Sequence, residues 1–181
     1  MWKTIQPEQI QDNPFTLIAK DHLLLTACEK KTSEEGDAPT GKPSALAVNW
    51  GGLGVLWSKC VATIYLRPTQ STKALIDGAE EFSLCVLPQK YKSAVDYCKD
   101  HPNKAGDNLV DCKLDVEYTG CVPWIKQARL VLFCQKLYAQ ELDPFCFSQQ
   151  RVYKQNYRKD DLHTMYIAEI VKVMTETRGL A

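Results

Sequence analysis

The feature that most limits the possible folds is a series of short β-rich runs separated by turn signals. The runs are rich in β-branched and aromatic residues, and they cover residues 22–28, 45–49, 60–66, 82–87, 113–118, 128–137 and 165–173. Short runs of this composition between Gly, Pro, Asn and Asp are typical of strands. Two short helices are predicted, one over 73–81 after a cap at Thr72 and one over 91–99. Many strands and few helices favour a β-barrel or a β-sandwich.

Length and charge predict a single domain over residues 1–181 with no polyanionic partner. A chain of this length can bury a core without metal or disulfide staples. Lys plus Arg and Asp plus Glu are equal at 22 each, so no net field attracts the protein to nucleic acid or to an anionic membrane. The N-terminus has no signal-peptide core, and no apolar run approaches the roughly 20 residues of a spanning helix. We therefore expect a cytoplasmic protein with no nucleic-acid or membrane partner.

The eight cysteines are predicted to be reduced thiols. A disulfide framework is typical of short exported chains, and this chain has neither property. Several cysteines lie inside apolar runs, as Cys85 and Cys134 do, where cysteine behaves as a small hydrophobe. Cys98 and His101 form a Cys-x-x-His, but no second pair follows at zinc-finger spacing, so no metal site is predicted.

Two polar segments are predicted to lack regular structure. Residues 30–42, KKTSEEGDAPTGK, have the composition of a surface loop, and residues 143–161 form a longer irregular segment with mixed polar and aromatic residues. Loops of this length often carry function, although the first is equally compatible with disorder.

Residues 49–57, NWGGLGVLW, place three glycines between two tryptophans. They do not form a dinucleotide fingerprint, because no strand-to-helix unit surrounds them and no acidic residue follows about 20 positions later. Bare glycine backbone can approach a flat ligand closely, with Trp50 and Trp57 as walls of one cavity. The alternative is a bulged strand connection whose tryptophans belong to the core.

The next segment has the composition of an anion site. Arg67 ends an apolar run, Pro68 stops it, and Thr69, Gln70, Ser71 and Thr72 lead into a helix whose first N–H groups lack partners within the helix. An arginine, hydroxyl groups and a helix N-terminus together suit a phosphate. The alternative is ordinary capping by Ser71 or Thr72, with Arg67 paired to a surface carboxylate.

Taken in order, these segments resemble the flavin reductase-like, FMN-binding split-barrel proteins, which include the flavoredoxin group. The resemblance extends from about Pro14 to Val173 through SALAVNWGGLGVLWSKCVATIYLRPTQST, FSLCVLPQKYKSAVDYC, ARLVLFCQKLYAQELDP and HTMYIAEIVKV. It implies a mainly β fold: a six-stranded antiparallel Greek-key split β-barrel with a few short flanking helices. It also implies a homodimer with FMN near the subunit interface.

The resemblance also assigns candidate FMN-binding residues. They are Ala47, Val48, Asn49, Trp50, Gly51, Gly52 and Trp57 for the ring system, and Arg67, Thr69, Gln70, Ser71, Thr72 and Lys104 for the phosphate. Relatives usually have hydroxyl residues where this chain has Ala47 and Asn49, and a second arginine and a tyrosine where it has Gln70 and Ser71. Lys104 restores some positive charge, as a point charge rather than a fork. These departures leave open whether FMN is a resident cofactor or a weakly held substrate.

The activity implied is transfer of a hydride from NAD(P)H to FMN, with electrons passing onward to a small-molecule or protein acceptor. No catalytic side chain is predicted, because the flavin itself carries the hydride chemistry. Two alternatives remain: an FMN-binding electron carrier of the flavoredoxin type that a protein partner reduces, and a flavin-free binding module.

Overall fold

The computed structural model describes residues 1–20, 23–33, 36–101, 108–158 and 161–176, and these parts of the chain are mainly β, as predicted. Eight strands form one antiparallel sheet in the order β3-β2-β6-β9-β10-β5-β4, with β1 paired to β10. A separate hairpin joins β7 to β8. The strands are β1 (Trp2–Ile5), β2 (Leu23–Ser33), β3 (Gly36–Val48), β4 (Gly51–Leu56), β5 (Lys59–Leu66), β6 (Glu81–Val86), β7 (Val116–Thr119), β8 (Val122–Ile125), β9 (Leu130–Glu141) and β10 (Thr164–Glu176).

The predicted six-stranded barrel is wrong in strand number and in closure. The sheet has eight strands, and among the described residues no ladder joins its two ends, β3 and β4. Strands β1, β4 and β8 lie outside the predicted runs. Strand β4 was read as a glycine segment, yet its backbone pairs with β5 from Gly51↔Ile64 to Leu56↔Lys59. Glycine supplies the same backbone N–H and C=O groups to a strand ladder as any other residue. It gives no alternation of apolar and polar side chains from which a strand could be predicted.

The predicted loop over residues 30–42 is also wrong. Strands β2 and β3 continue through it, and their backbone pairing runs from Glu29↔Thr40 to Ser33↔Gly36. The segment is polar throughout, so it lacks the apolar alternation on which strand prediction depends. The result is a long two-stranded arm.

In the described ranges, five short α-helices flank the sheet: α1 (Pro14–Ala19), α2 (Ser71–Gly78), α3 (Lys92–Asp100), α4 (Asn108–Asp111) and α5 (Gln150–Asn156). The two predicted helices are present as α2 and α3, but the cap predicted at Thr72 is wrong, because α2 begins at Ser71 and its N-cap residue is Gln70. Helix α5 lies inside the segment that was predicted to be irregular. None of the helices in the described ranges has both the length and the apolar character needed to cross a bilayer.

Apolar side chains pack on both faces of the sheet. On β2, Leu25 belongs to a cluster with Phe82 and Tyr166, whereas the neighbouring Leu24 belongs to a second cluster with Val95 of α3 and Trp124 of β8. Successive strand residues point to opposite faces, so one strand contributes to both clusters. Helices α3 and α4 and the β7–β8 hairpin therefore cover the face of the second cluster, whereas α1 and α2 pack on the face of the first.

The register brings three chain segments together at one end of the sheet. Gly51 at the start of β4 pairs with Ile64, and Leu66 at the end of β5 pairs with Thr164 at the start of β10. Trp50, Arg67 and His163 each lie one residue beyond these positions. Residues far apart in sequence are thereby placed in one site.

Candidate functional site

An accessible aromatic face lies at this end of the sheet. The Trp50 ring packs on the His163 ring, with centroids 4.7 Å apart and planes inclined by 31°. Trp50 is 41% exposed, whereas His163 is 6% exposed. The outer side of the indole is therefore open to a ligand while a buried imidazole supports its inner side.

His163 is held as a neutral imidazole. Its Nδ1 shares a hydrogen bond with the Tyr157 hydroxyl at 3.1 Å, and the two rings meet edge to face with centroids 5.5 Å apart. Burial lowers the pKa of His163 to about 4, and Arg67 acts in the same direction, while Asp161 opposes them. Burial also raises the pKa of Tyr157. Both groups are therefore uncharged near neutral pH.

Arg67 lies beside these rings and has a carboxylate partner. Its Nη1 donates to the Asp161 carboxylate, and its Nη2 donates to the Asn156 carbonyl at 3.2 Å. The guanidinium carbon is 5.8 Å from the Tyr157 ring centroid, within the range of a cation–π contact. The side chain remains 33% exposed. This arrangement matches the surface-carboxylate alternative, although it leaves Arg67 accessible.

The turn after Arg67 is fixed by Gln70. The Gln70 side-chain oxygen accepts from the Arg67 backbone N–H at 2.7 Å, and the Arg67 carbonyl accepts from the Gln70 backbone N–H at 3.1 Å. Gln70 is also the N-cap residue of α2, without a side-chain cap bond. Its side chain therefore shapes the turn, while Thr69 is exposed beside it.

Three predicted phosphate ligands lack a described side chain. Ser71 and Thr72 begin α2, but the described structure extends only to their backbone. Lys104 lies outside the described residues. Their assignment to the phosphate stays a prediction.

The glycines of β4 differ in their surroundings. A Cβ added to Gly51 would lie 2.2 Å from the Thr63 carbonyl oxygen of β5, whereas one added to Gly52 or Gly54 would meet no atom within 4 Å. The close approach at Gly51 is therefore to the neighbouring strand. Gly52 is the position beside Trp50 where bare backbone faces open space.

Trp57 is not part of this end of the sheet. It forms the β4–β5 hairpin turn with Ser58, and both have positive φ, 51° and 57°. The six residues of β4 separate it from Trp50, a span of about 20 Å at roughly 3.3 Å per residue. The two tryptophans do not line one cavity within the chain, so the shared-wall prediction is wrong for a single chain.

Residues 47–49 line a small cleft on another side of β3. Ala47, Val48 and Asn49 face Lys20, Asp96 and Lys99 across a space of about 150 Å³. Pockets that hold ligands of cofactor size begin at roughly 300 Å³. This cleft therefore cannot enclose a whole flavin in the single chain.

Sequence reasoning missed His163, Tyr157 and Asp161. His163 is isolated in sequence and belongs to no catalytic motif, and the other two lie in the segment predicted to be irregular. Only the position of His163 at the start of the predicted strand 165–173 could have indicated that it meets Arg67. No sequence pattern indicates the α5 contacts.

The fold is similar to that of solved flavin reductase-like structures. An FMN-binding domain of a flavin reductases-like enzyme from Shewanella baltica matches 97% of this chain and 77% of its own, with 13% sequence identity and a TM-score of 0.63. Flavoredoxin from Methanosarcina acetivorans matches 88% of this chain and 70% of its own, with 18% identity and a TM-score of 0.63. An NADH:FAD oxidoreductase from Streptomyces globisporus, solved with NAD and FAD fragments, matches 85% and 74%, with 15% identity and a TM-score of 0.57.

These likenesses establish the fold. The chain has the flavin reductase-like split-barrel fold that its sequence resembles, and that prediction is confirmed. No protein-family model matches the chain, and no curated protein matches it either.

The described residues fit the ring end of a flavin better than its phosphate end. Trp50 offers an open aromatic face, and Gly52, two residues further on, leaves open space where a side chain would lie. Arg67 is accessible but shares its charge with Asp161. A flavin would therefore find an aromatic surface for its ring here and, among the candidate residues with a described side chain, one cation for its phosphate.

Proposed function

We propose that the protein is an FMN-binding flavin reductase-like oxidoreductase that transfers a hydride from NAD(P)H to FMN and passes electrons to an acceptor. The observation that carries this proposal is the joint position of Trp50, Gly52 and Arg67 at one end of a split-barrel sheet. Flavin reductases and flavoredoxins of the same fold support it.

The proposal gives each residue a physical task. Bound FMN would supply the hydride acceptor, and the protein supplies binding, orientation and exclusion of water. Trp50 gives the ring a flat apolar support, while the backbone of Gly51 and Gly52 offers polar groups at its edge. Arg67 and Thr69 receive the phosphate. Neutral His163 supports Trp50 from behind without placing a second positive charge beside Arg67.

The remaining assignments complete the proposal. FMN is the flavin, the site is finished by a second copy in a homodimer, and the acceptor is a small molecule or a protein. The dimer is consistent with the small size of the cleft beside Ala47, because a second subunit would add walls to it. We also propose that the protein works in the cytoplasm, without nucleic acid or membrane.

Two alternatives each have an observation in their favour. An electron carrier is favoured by the flavoredoxins among the structures of the same fold. A flavin-free module is favoured by the Arg67–Asp161 ion pair, since the one described cation of the phosphate site already has a partner.

The deciding experiment is a visible absorption spectrum of protein mixed with FMN and passed through gel filtration. The flavin-loaded protein is then followed anaerobically as NADH and afterwards NADPH are added. Retained flavin that bleaches with either nicotinamide supports the reductase. Retained flavin that stays oxidised, but is reduced by a protein donor, selects the carrier.

Absence of retained flavin requires one further assay. Turnover of free FMN by NADH or NADPH would then identify a reductase that uses FMN as a substrate. A folded protein with neither retention nor turnover would contradict the proposal and leave the flavin-free module.

A further inference from the structure

Both acceptors described for the Arg67 guanidinium come from the C-terminal end of α5 and the residues that follow it, namely Asn156 and Asp161. Nη1 donates to the Asp161 carboxylate, and Nη2 donates to the Asn156 carbonyl at 3.2 Å. The other Asp161 oxygen accepts from the Arg158 backbone N–H at 3.3 Å. The carboxylate is thus held between a guanidinium and a backbone donor.

A carboxylate and a phosphate present the same kind of acceptor to arginine. Each binds the planar fork of N–H donors through charge-assisted hydrogen bonds. A phosphate monoester carries a charge of roughly −1.5 to −2 at neutral pH, so it repels a carboxylate bound to the same guanidinium. A phosphate that reaches Arg67 therefore has to displace Asp161.

We infer that Asp161 determines how strongly this site prefers FMN to riboflavin. Its carboxylate binds Arg67 in the free chain and therefore competes with the phosphate of the ligand. This inference rests on the proposed function. It predicts that the preference for FMN over riboflavin is smaller than Arg67 alone would give, and that the preference rises when Asp161 loses its charge.

The rest of the site keeps Arg67 in place when the carboxylate leaves. The Asn156 carbonyl accepts from the other guanidinium nitrogen, and the Tyr157 ring lies beside the guanidinium plane. The Arg67 backbone is fixed independently by Gln70. Exchange of Asp161 for a phosphate therefore changes one partner and not the position of the arginine.

The test compares FMN and riboflavin, which differ by the phosphate. Dissociation constants are measured by quenching of flavin fluorescence for the wild type, Asp161→Asn, Arg67→Ala and the double variant. Asn retains the size of Asp and the oxygen that accepts from Arg158, but it removes the charge. We expect Asp161→Asn to tighten FMN binding about tenfold and to leave riboflavin binding unchanged, as for the loss of a competing charged hydrogen bond. Most of this gain should disappear in the Arg67→Ala background.

Asp12→Asn is the matched control. Asp12 forms a similar ion pair with Arg129, 2.7 Å long, near the other end of β10. This variant changes the net charge equally and should leave the ratio of the two dissociation constants unchanged. Thermal unfolding of each variant is measured first, and Asp161→Ser replaces Asp161→Asn if that protein does not fold.

The outcomes separate this inference from the proposed function. Binding of FMN by Asp161→Asn alone, or a raised ratio of riboflavin to FMN dissociation constants, supports it. An unchanged ratio, or an equal rise in Asp12→Asn, overturns the inference and leaves the flavin site standing. Failure of every folded variant to bind either flavin overturns both.

Discussion

Gly51 lies where the sheet has no room for a side chain. A Cβ there would lie 2.2 Å from the Thr63 carbonyl oxygen, which belongs to backbone and cannot move without breaking the β4–β5 ladder. The requirement for glycine at this position thus comes from the packing of two strands, which is closer to the strand-connection alternative of the sequence analysis than to its ligand site.

Gly51→Ala is expected to destabilise the protein by about 1–3 kcal/mol, as overpacking does elsewhere. Gly54→Ala is the matched control, since an added Cβ meets no atom within 4 Å, and it should change stability by less than about 0.5 kcal/mol. Urea unfolding measures both variants. Equal stabilities would show that the strands separate at Gly51 without cost.

Arg67 is the one phosphate candidate whose charged side chain is described. Arg67→Ala should weaken FMN binding about tenfold and riboflavin binding little, because only FMN has the phosphate. Arg129→Ala removes another ion-paired arginine at a distance and should affect neither ligand. Flavin fluorescence titration provides both constants, and equal losses for the two flavins would remove Arg67 from the phosphate role.

His163 should make stability depend on pH. Its pKa falls from 6.5 to about 4 on folding, so between these values the unfolded chain binds a proton that the folded chain does not. The free energy of unfolding therefore decreases as the pH falls through this window, and the full stabilisation is present above pH 6.5.

The check is urea unfolding of wild type and His163→Gln across that window. The Gln variant should lose the histidine part of the pH dependence. Tyr157→Phe is the control, because it removes the hydrogen-bond partner but keeps the imidazole and should retain the dependence. Parallel pH profiles for wild type and His163→Gln would contradict a buried neutral histidine.

At the scale of elements, α2 is attached to the sheet through its C-terminal end. Lys136 of β9 donates to the Ile76 and Asp77 carbonyls at 2.7 and 2.8 Å, and the Tyr166 hydroxyl of β10 donates to the Asp77 carboxylate. A lysine at a helix C-terminus satisfies carbonyls that lack partners within the helix and complements the helix dipole. The N-terminus of α2 belongs to the predicted phosphate site, and its C-terminus is fixed to the sheet.

Lys136→Met should lower stability by about 1–2 kcal/mol, because it leaves two carbonyls without their charged donor. Lys59→Met is the control: its ion pair with Glu169 is more exposed, and its loss should cost less than about 1 kcal/mol. Chemical unfolding compares the two. Similar losses would mean that Lys136 acts only as a surface charge.

Sequence patterns predicted elements where apolar side chains recur with a regular period, and failed where they do not. Strand β5 and helices α2 and α3 have apolar periodicity and were predicted. The β2–β3 arm is polar and β4 is rich in glycine. The strands of the arm and strand β4 are therefore specified by backbone pairing with a neighbouring strand. That information lies in tertiary contacts and not in the local sequence.

At the scale of the whole molecule, the thiols should be reduced, and their reactivity should decrease as their burial increases. None of the eight cysteines, all of which lie in the described ranges, forms a disulfide; Cys146 is exposed, and Cys28, Cys85, Cys98 and Cys134 are buried. Burial raises the pKa of Cys60 and Cys112, which reduces their thiolate fraction.

Labelling with a thiol reagent tests this gradation. Cys146 should react first, the four buried thiols should react only on unfolding, and eight thiols should titrate in denaturant without reductant. Cys146→Ser should abolish the fast phase. A total below eight would contradict the reduced state.

The candidate site could be predicted only in part, because it is assembled from three distant segments. Trp50 and Arg67 were found because glycine, tryptophan and Arg-Pro are distinctive locally. Their neighbours His163, Tyr157 and Asp161 come from the strand β10 register and from α5. The contacts between these segments follow from topology, which the sequence alone left between a barrel and a sandwich until the family resemblance was considered.

The β2–β3 arm bears on how chains of this fold can change in length. Strand β2 pairs with β6 only from Leu23 to Thr26 in the described ladder, and from Glu29 to Ser33 its ladder runs to β3. Residues inserted or deleted one on each strand would preserve the cross-strand partners, and two on each strand would also keep every other side chain on its face. Evolution could therefore lengthen or shorten this arm while the barrel end that holds Trp50 and Arg67 stays unchanged.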